Sequence, residues 1–297
     1  MLAAFLTTIL WSLSVIFANR SVAVLGGANA NLARLTLATL LLGIWAHTLG
    51  CGIGGVAFGW FVLSGVIGFG IGDIALFMAL PRLGARLSIL IIQCLSVPAA
   101  ATLEYVWLGT RLQGAQVACT VLILGGVAMA LSGRMARGTV FSWAGVVAAV
   151  VAALGQGWGA VLSRKGFAVA QLSGESIDGL SSAYQRALGG LVLVFVFAMA
   201  APRGARSIQP LTVEEKRKAA WLVLFNALAG PTLGVACYQW ALSSQPSGVV
   251  LPIVAITPAV TIPFAWWIDG DRPTKRSLLG ALIAVAGAVV LAAVSAR

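Results

Sequence analysis

Two stretches of the chain repeat one another, and that repetition limits the fold more than any other feature. The first runs from Gly65 to Arg111: Gly68, Gly70, Gly72 and Asp73, then Ala79-Leu80, a break expected at Pro81, an apolar run to Pro98, and Gly109-Thr110-Arg111. The second runs from Gly230 to Arg272: Gly230-Pro231, Gly234, Ala241-Leu242, a break at Pro246, an apolar run to Pro258, and Gly270-Asp271-Arg272. Each copy reads as a glycine-punctuated helix, a tight turn, a proline-broken apolar helix and a short charged exit. Similar stretches recurring along one chain mark a duplicated structural unit.

The solvent of that unit follows from composition. Of 297 residues, 60% are hydrophobic and 9% charged, against roughly 25% charged in soluble domains. The apolar runs are about 20 residues long, the length of a bilayer-spanning helix. Period-two alternation, the mark of a membrane barrel, is absent, so the spans are expected to be helices whose backbone groups are satisfied internally. Hydropathy predicts ten, at about 2–19, 30–49, 56–79, 85–107, 112–132, 141–164, 180–200, 219–242, 247–267 and 277–295. The expectation is an all-α integral membrane protein, multi-pass in the cell (inner) membrane, with the lipid bilayer as its surroundings. The segment starting at Met1 has neither a basic leader nor a clear cleavage site and reads as the first helix.

The net charge of +11 does not imply nucleic acid. The basic residues sit singly or in short clusters between apolar segments, as membrane-flanking charges do. The cluster Glu214-Glu215-Lys216-Arg217-Lys218 reads as a solvated loop or the start of helix eight. Cys51, Cys94, Cys119 and Cys237 share no metal-type spacing and read as small buried hydrophobes. The single histidine, His47, leaves almost no material for a His-based metal site or nucleophile pair. No glycine-rich phosphate loop with its lysine is present, so ATP is not the energy source. Neither an enzyme, a metal nor a cofactor is expected.

Helices one to five correspond to six to ten. Trp11 matches Trp158, Asn19-Arg20 matches Arg164-Lys165, and Arg34 matches Arg186; Gly125-Gly126 and Gly280 with Gly287 close the halves. An odd number of helices per half inverts the second copy in the membrane. The expected architecture is two inverted five-helix repeats, residues 1–137 and 138–297, with a site between them.

Asp73 is the only acid read as deep in a span, where a carboxylate needs a partner or water. Phe69, Asp73 and Phe77 share one helical stripe. Asp73 and Phe77 of that stripe, with Trp11, Gln93, Gln156, Trp158, Tyr238 and Gln239, are the candidate substrate-binding residues; Pro231, Gly234 and Tyr238 share one face of helix eight. Structural packing is the competing explanation for each. Arg34 and Arg186 are expected to snorkel to nearby headgroups. Pro98 in helix four and Pro252, Pro258 and Pro263 in helix nine free the carbonyls of Cys94, Gly248, Val254 and Ala259 and are candidate hinges.

The order of Trp in helix one, Arg in helix two, Gly and Ala-Leu in helix three, Pro in helix four and Gly-x-Arg after it resembles the drug/metabolite transporter superfamily. Within it the chain is similar to the EamA-type exporters, whose five-helix unit occurs twice, and among those to aromatic amino-acid exporters. One departure is Thr110, where that family often has an acid; Asp271 holds the second copy's position. The resemblance implies export of small metabolites, amino acids above all, and the aromatic candidates favour neutral or aromatic ones. A monomer is expected to suffice. The alternatives are multidrug or other metabolite efflux, or a lipid-handling or structural membrane protein without solute flux.

Charge also predicts orientation. Of 19 Lys and Arg residues, 13 lie on odd-numbered connections. Positive charge favours the cytoplasm, which puts both termini outside; the family resemblance implies the reverse. We expect the charge bias to prevail, so that a C-terminal reporter fluorescent only in the cytoplasm stays dark. Bright cells would contradict it.

Overall fold

A computed structural model describes residues 1–131, 142–200, 212–269 and 274–295. The order is α1 (Leu2–Leu25), α2 (Gly27–Thr48), α3 (Phe58–Gly65), α4 (Asp73–Leu108), α5 (Gly114–Leu131), α6 (Trp143–Leu172), α7 (Gly179–Ala200), α8 (Val213–Ala227), α9 (Leu233–Ser244), α10 (Ser247–Val254), α11 (Thr257–Asp269) and α12 (Lys275–Ser295). No strand occurs among the described residues. Among the described residues, nine spans are long and apolar enough to cross a membrane, with Phe58–Leu80 and Leu87–Leu108 counted separately. Helix α2 is long enough but less apolar, because Asn29, Asn31 and Arg34 lie within it, and it stands outside that count.

Several expected boundaries move. Helix α1 extends past Arg20 to Leu25, and α6 past Lys165 to Leu172, so Asn19-Arg20 and Arg164-Lys165 lie inside helices rather than at their ends. The break expected at Pro81 is not a loop, since the backbone stays helical from Asp73 to Leu108, through both Pro81 and Pro98. The chain nevertheless turns back. Along α6, glycines 155, 159 and 166 meet Gly72, Gly68 and Phe61 in descending order, whereas Gly157 meets Ser96 and Arg164 meets Glu104 in ascending order. The ninth expected helix is in fact two, α10 and α11, because Pro258 in the first turn of α11 cannot donate to Val254. The Thr257 hydroxyl donates to that carbonyl instead, at 2.6 Å. From α1, the Thr8 and Ser12 hydroxyls donate to the Ile253 and Thr257 carbonyls at 3.2 and 3.0 Å. Lys216, Arg217 and Lys218 lie in the first turns of α8, begun by a Thr212–Glu215 capping box. Gly270-Asp271-Arg272 and most of the preceding polar connection lie outside the described residues.

Two helices carry π-helical segments, Val66–Gly72 between α3 and α4 and Leu228–Thr232 between α8 and α9. They fall at matching places, Gly68 against Gly230. The Asp178 carboxylate caps α7 by accepting from the Leu180 and Ser181 amides at 2.8 and 2.9 Å. Burial there opposes ionisation, but these bonds and the Ser181 hydroxyl outweigh it and hold the acid below the ordinary aspartate range.

The halves interlock reciprocally. Helix α1 packs on α8 and α9, as α6 packs on α3 and α4; α2 pairs with α7 and α5 with α12. Glycine makes the last contact possible, because in lipid close backbone approach takes the place of hydrophobic driving force. A methyl group on Gly126 would stand 2.6 Å from the Ala284 amide nitrogen, whereas one on Gly125 would meet nothing within 4 Å. Gly126→Ala is therefore expected to cost about 1–3 kcal/mol. Gly125→Ala should be neutral or slightly stabilising. Thermal unfolding of both variants in detergent checks this; equal shifts would contradict it.

Candidate functional site

The residues Phe69, Asp73 and Phe77, expected from spacing to form a stripe, hold two arginines from other helices of the bundle. Arg34 on α2 donates from Nη2 to Asp73 Oδ2 at 2.6 Å and from Nε to Asn31 Oδ1 at 2.8 Å. Its guanidinium carbon lies 5.9 Å from the Phe77 ring centre. Arg186 on α7 lies between two rings, 5.1 Å from Phe69 and 5.8 Å from Tyr238. Neither arginine snorkels. Arg34 is neutralised by an internal carboxylate, and Arg186 is only 5% exposed. The expectation failed because both were judged by distance from a helix start, whereas depth here depends on which face each presents to the bundle.

Room for Arg186 comes from residues without side chains. A methyl group on Gly68 would collide with Arg186 Nη2, one on Gly65 with the Arg186 carbonyl, and one on Gly159 would stand 3.2 Å from Nη2. The wider π turn beginning at Val66 carries Gly68 and the Phe69 ring that faces the guanidinium, in keeping with the frequent occurrence of π-bulges at functional sites.

From the second half, Tyr238 packs its ring 5.2 Å from Trp11. Gly234, one turn earlier, faces the same indole, so Gly234 and Tyr238 do share a face, and Pro231 is buried within the π segment. The Tyr238 hydroxyl and both polar atoms of Gln239 are buried without a hydrogen-bond partner among the described residues. Gln93 and Gln156 join each other, Gln156 Nε2 to Gln93 Oε1 at 3.2 Å, tying α4 to α6. Trp158 is 41% exposed and no ring pairs with it among the described residues, so the two matching tryptophans do not occupy matching environments. Of the prolines, Pro98 lies exposed within continuous helix. Pro252 is fully buried in α10, Pro258 opens α11, and Pro263 lies exposed within it.

Asp73 is not the only deep acid. Glu104 is 1% exposed. It receives the Ser247 amide at 2.7 Å, the Ser247 hydroxyl, and Arg164 Nε at 3.4 Å. Arg164 also donates to the Leu242 carbonyl at 2.7 Å. One carboxylate thus fastens α4 to α6 and to the first residue of α10, where the partial positive charge of a helix start favours it. The acid stands within the fourth apolar run, but sequence reasoning did not single it out, because a residue near the end of such a run carries no signal of which way it faces.

The comparisons bear on this arrangement. The sequence profile of the EamA-like transporter family matches residues 1–132 and again 143–293. The chain belongs to the EamA-like transporter family. A solved structure described only as "Crystal structure of protein" superposes with a TM-score of 0.73 at 21% identity, covering 100% of this chain and 97% of that one. That likeness concerns the fold alone. No curated protein matches the sequence significantly. As an EamA-like protein, the chain is a multi-pass membrane transporter of small molecules with two repeats, from a family of transporters rather than enzymes.

The Glu104 cluster generates a stability prediction. Glu104→Ala leaves the Ser247 amide and Arg164 Nε without an acceptor. We expect a loss of about 2–3 kcal/mol, less than for a fully buried pair because Arg164 is partly exposed. Glu104→Gln keeps one acceptor and should recover part of the loss. An alanine variant that melts in detergent with the wild type would contradict this role.

Proposed function

We propose that this transporter exports small metabolites, neutral or aromatic amino acids above all, by alternating access of its two halves around the Asp73–Tyr238 region. The observation that carries the reading is the meeting of both halves there. Aromatic faces from Trp11, Phe69, Phe77 and Tyr238 surround a small number of charges, a combination suited to an amphipathic solute with a ring. In this reading Asp73 provides the coupling step. Its carboxylate is partly exposed, at 19%, and already engaged by Arg34. An arriving ammonium group competes with Arg34 for it, so filling the site releases α2 from α4. The proline-containing helices α10 and α11, joined at Ala255-Ile256, supply a segment able to bend when the halves move. One chain holds every group this reading uses, and a monomer suffices.

Proteoliposomes holding the purified chain test both parts. Labelled phenylalanine should be transported faster than labelled lysine or glutamate. Asp73→Asn, nearly isosteric, should insert normally yet transport phenylalanine at least tenfold more slowly, equivalent to about 1.4 kcal/mol or more of lost coupling. Equal rates for all three solutes would favour broad metabolite or drug efflux instead. Wild-type rates in the Asn variant would make Asp73 a structural residue.

A further inference from the structure

The duplicated architecture contains an internal comparison. Arg34 and Arg186 occupy corresponding places in the second helix of each half. The residue that neutralises Arg34 is Asp73; its counterpart in the second half, aligned through Ala79-Leu80 and Ala241-Leu242, is Val235. Val235 is buried in an apolar cluster with Ala183, Ala187 and Phe69, around the helix that carries Arg186. One half therefore contains both members of an ion pair, and the other has the cation with a valine where its carboxylate would be.

The consequence for Arg186 is measurable in its contacts. Its guanidinium has five N–H donors, yet among the described residues its side chain makes one hydrogen bond, Nη1 to Ser163 Oγ at 3.4 Å. Nε is buried with no partner, and no carboxylate lies within ion-pair distance among the described residues. The two aromatic faces offset part of the cost of burying the charge, but they satisfy none of the in-plane donors. The Tyr238 hydroxyl, on one of those two rings, is likewise buried and unpartnered. Two unsatisfied donor groups with aromatic walls are suited to an acceptor that is anionic, planar and attached to an apolar body.

We propose that Arg186 is the carboxylate anchor of the central site. The substrate's carboxylate receives hydrogen bonds from the Arg186 guanidinium and the Tyr238 hydroxyl, and so takes the place that Asp73 fills for Arg34. Its apolar body lies against the rings of Trp11 and Phe69. This deepens the export reading by naming the group on the substrate that the site recognises, and it rests on that reading for the site's location.

Equilibrium binding of three probes to the purified full-length chain in detergent tests the anchor: phenylalanine, phenylalaninamide and phenylacetate. The amide keeps the ring and amine but lacks the carboxylate; phenylacetate keeps the carboxylate and lacks the amine. Phenylalanine should bind the wild type at least about tenfold tighter than its amide, as expected for hydrogen bonds between charged groups. Arg186→Gln should remove that preference, and Arg186→Lys should restore part of it. The amide comparison uses wild-type protein only, so it decides the matter even where Arg186→Gln does not fold. Equal affinity for phenylalanine and its amide overturns the anchor while leaving amino-acid export standing. Arg186-dependent binding of phenylacetate, with phenylalanine neither bound nor transported, keeps the anchor and overturns the amino-acid reading. Failure of both carboxylates to bind overturns the anchor.

Discussion

A cation held away from water in lipid is the demand that the centre of this protein meets. A side chain on Gly65 would collide with the Arg186 backbone and one on Gly68 would displace its guanidinium, and its charge is faced by Phe69 and Tyr238 rather than by solvent. The same glycines bring α3 and its π segment against α6 and α7, so accommodating one charge also determines how closely four segments approach. The Trp11–Tyr238 contact follows, because α9 must lie beside α1 for the tyrosine to reach over the guanidinium. Function and packing draw on the same residues here, and neither can be altered alone.

Much of this was legible from the chain. The duplication and the length of the apolar runs establish a helical membrane protein of two inverted halves, since lipid leaves few other ways to satisfy the backbone. The Phe69–Asp73–Phe77 stripe was legible because helical periodicity does not depend on tertiary context. What could not be read was depth. Glu104, Arg34 and Arg186 all lie near ends of apolar runs, where sequence cannot separate a headgroup neighbour from a residue turned into the bundle. The continuity of helix through Pro81 was hidden for a related reason: a proline removes one donor, and a tight reversal can keep the surrounding pattern helical. The division of the ninth span into α10 and α11 was better signalled, by Pro258 itself.

The two halves use one plan with different chemistry. Asp73 and Arg34 neutralise each other in the first, whereas Glu104 of the first half is used across the boundary, on Arg164 and Ser247 of the second. The reciprocal packing of the halves is thus retained while symmetry of charge is lost.

The reciprocal packing of α1 and α6 has a consequence for the order in which the molecule is made. Helix α6 is synthesised after α3 and α4, so its partners are already in the bilayer when it arrives. Helix α1 has to wait for α8, α9, α10 and α11, the last parts of the chain but one. During that interval its Thr8 and Ser12 hydroxyls would face lipid with nothing across from them. Both also bond within their own helix, Thr8 to the Ala4 carbonyl at 3.0 Å and Ser12 to the Thr8 carbonyl at 2.7 Å. These internal bonds make the first helix tolerable as a lone resident of the membrane, and the bonds to α10 and α11 are added when the nascent chain finally supplies them.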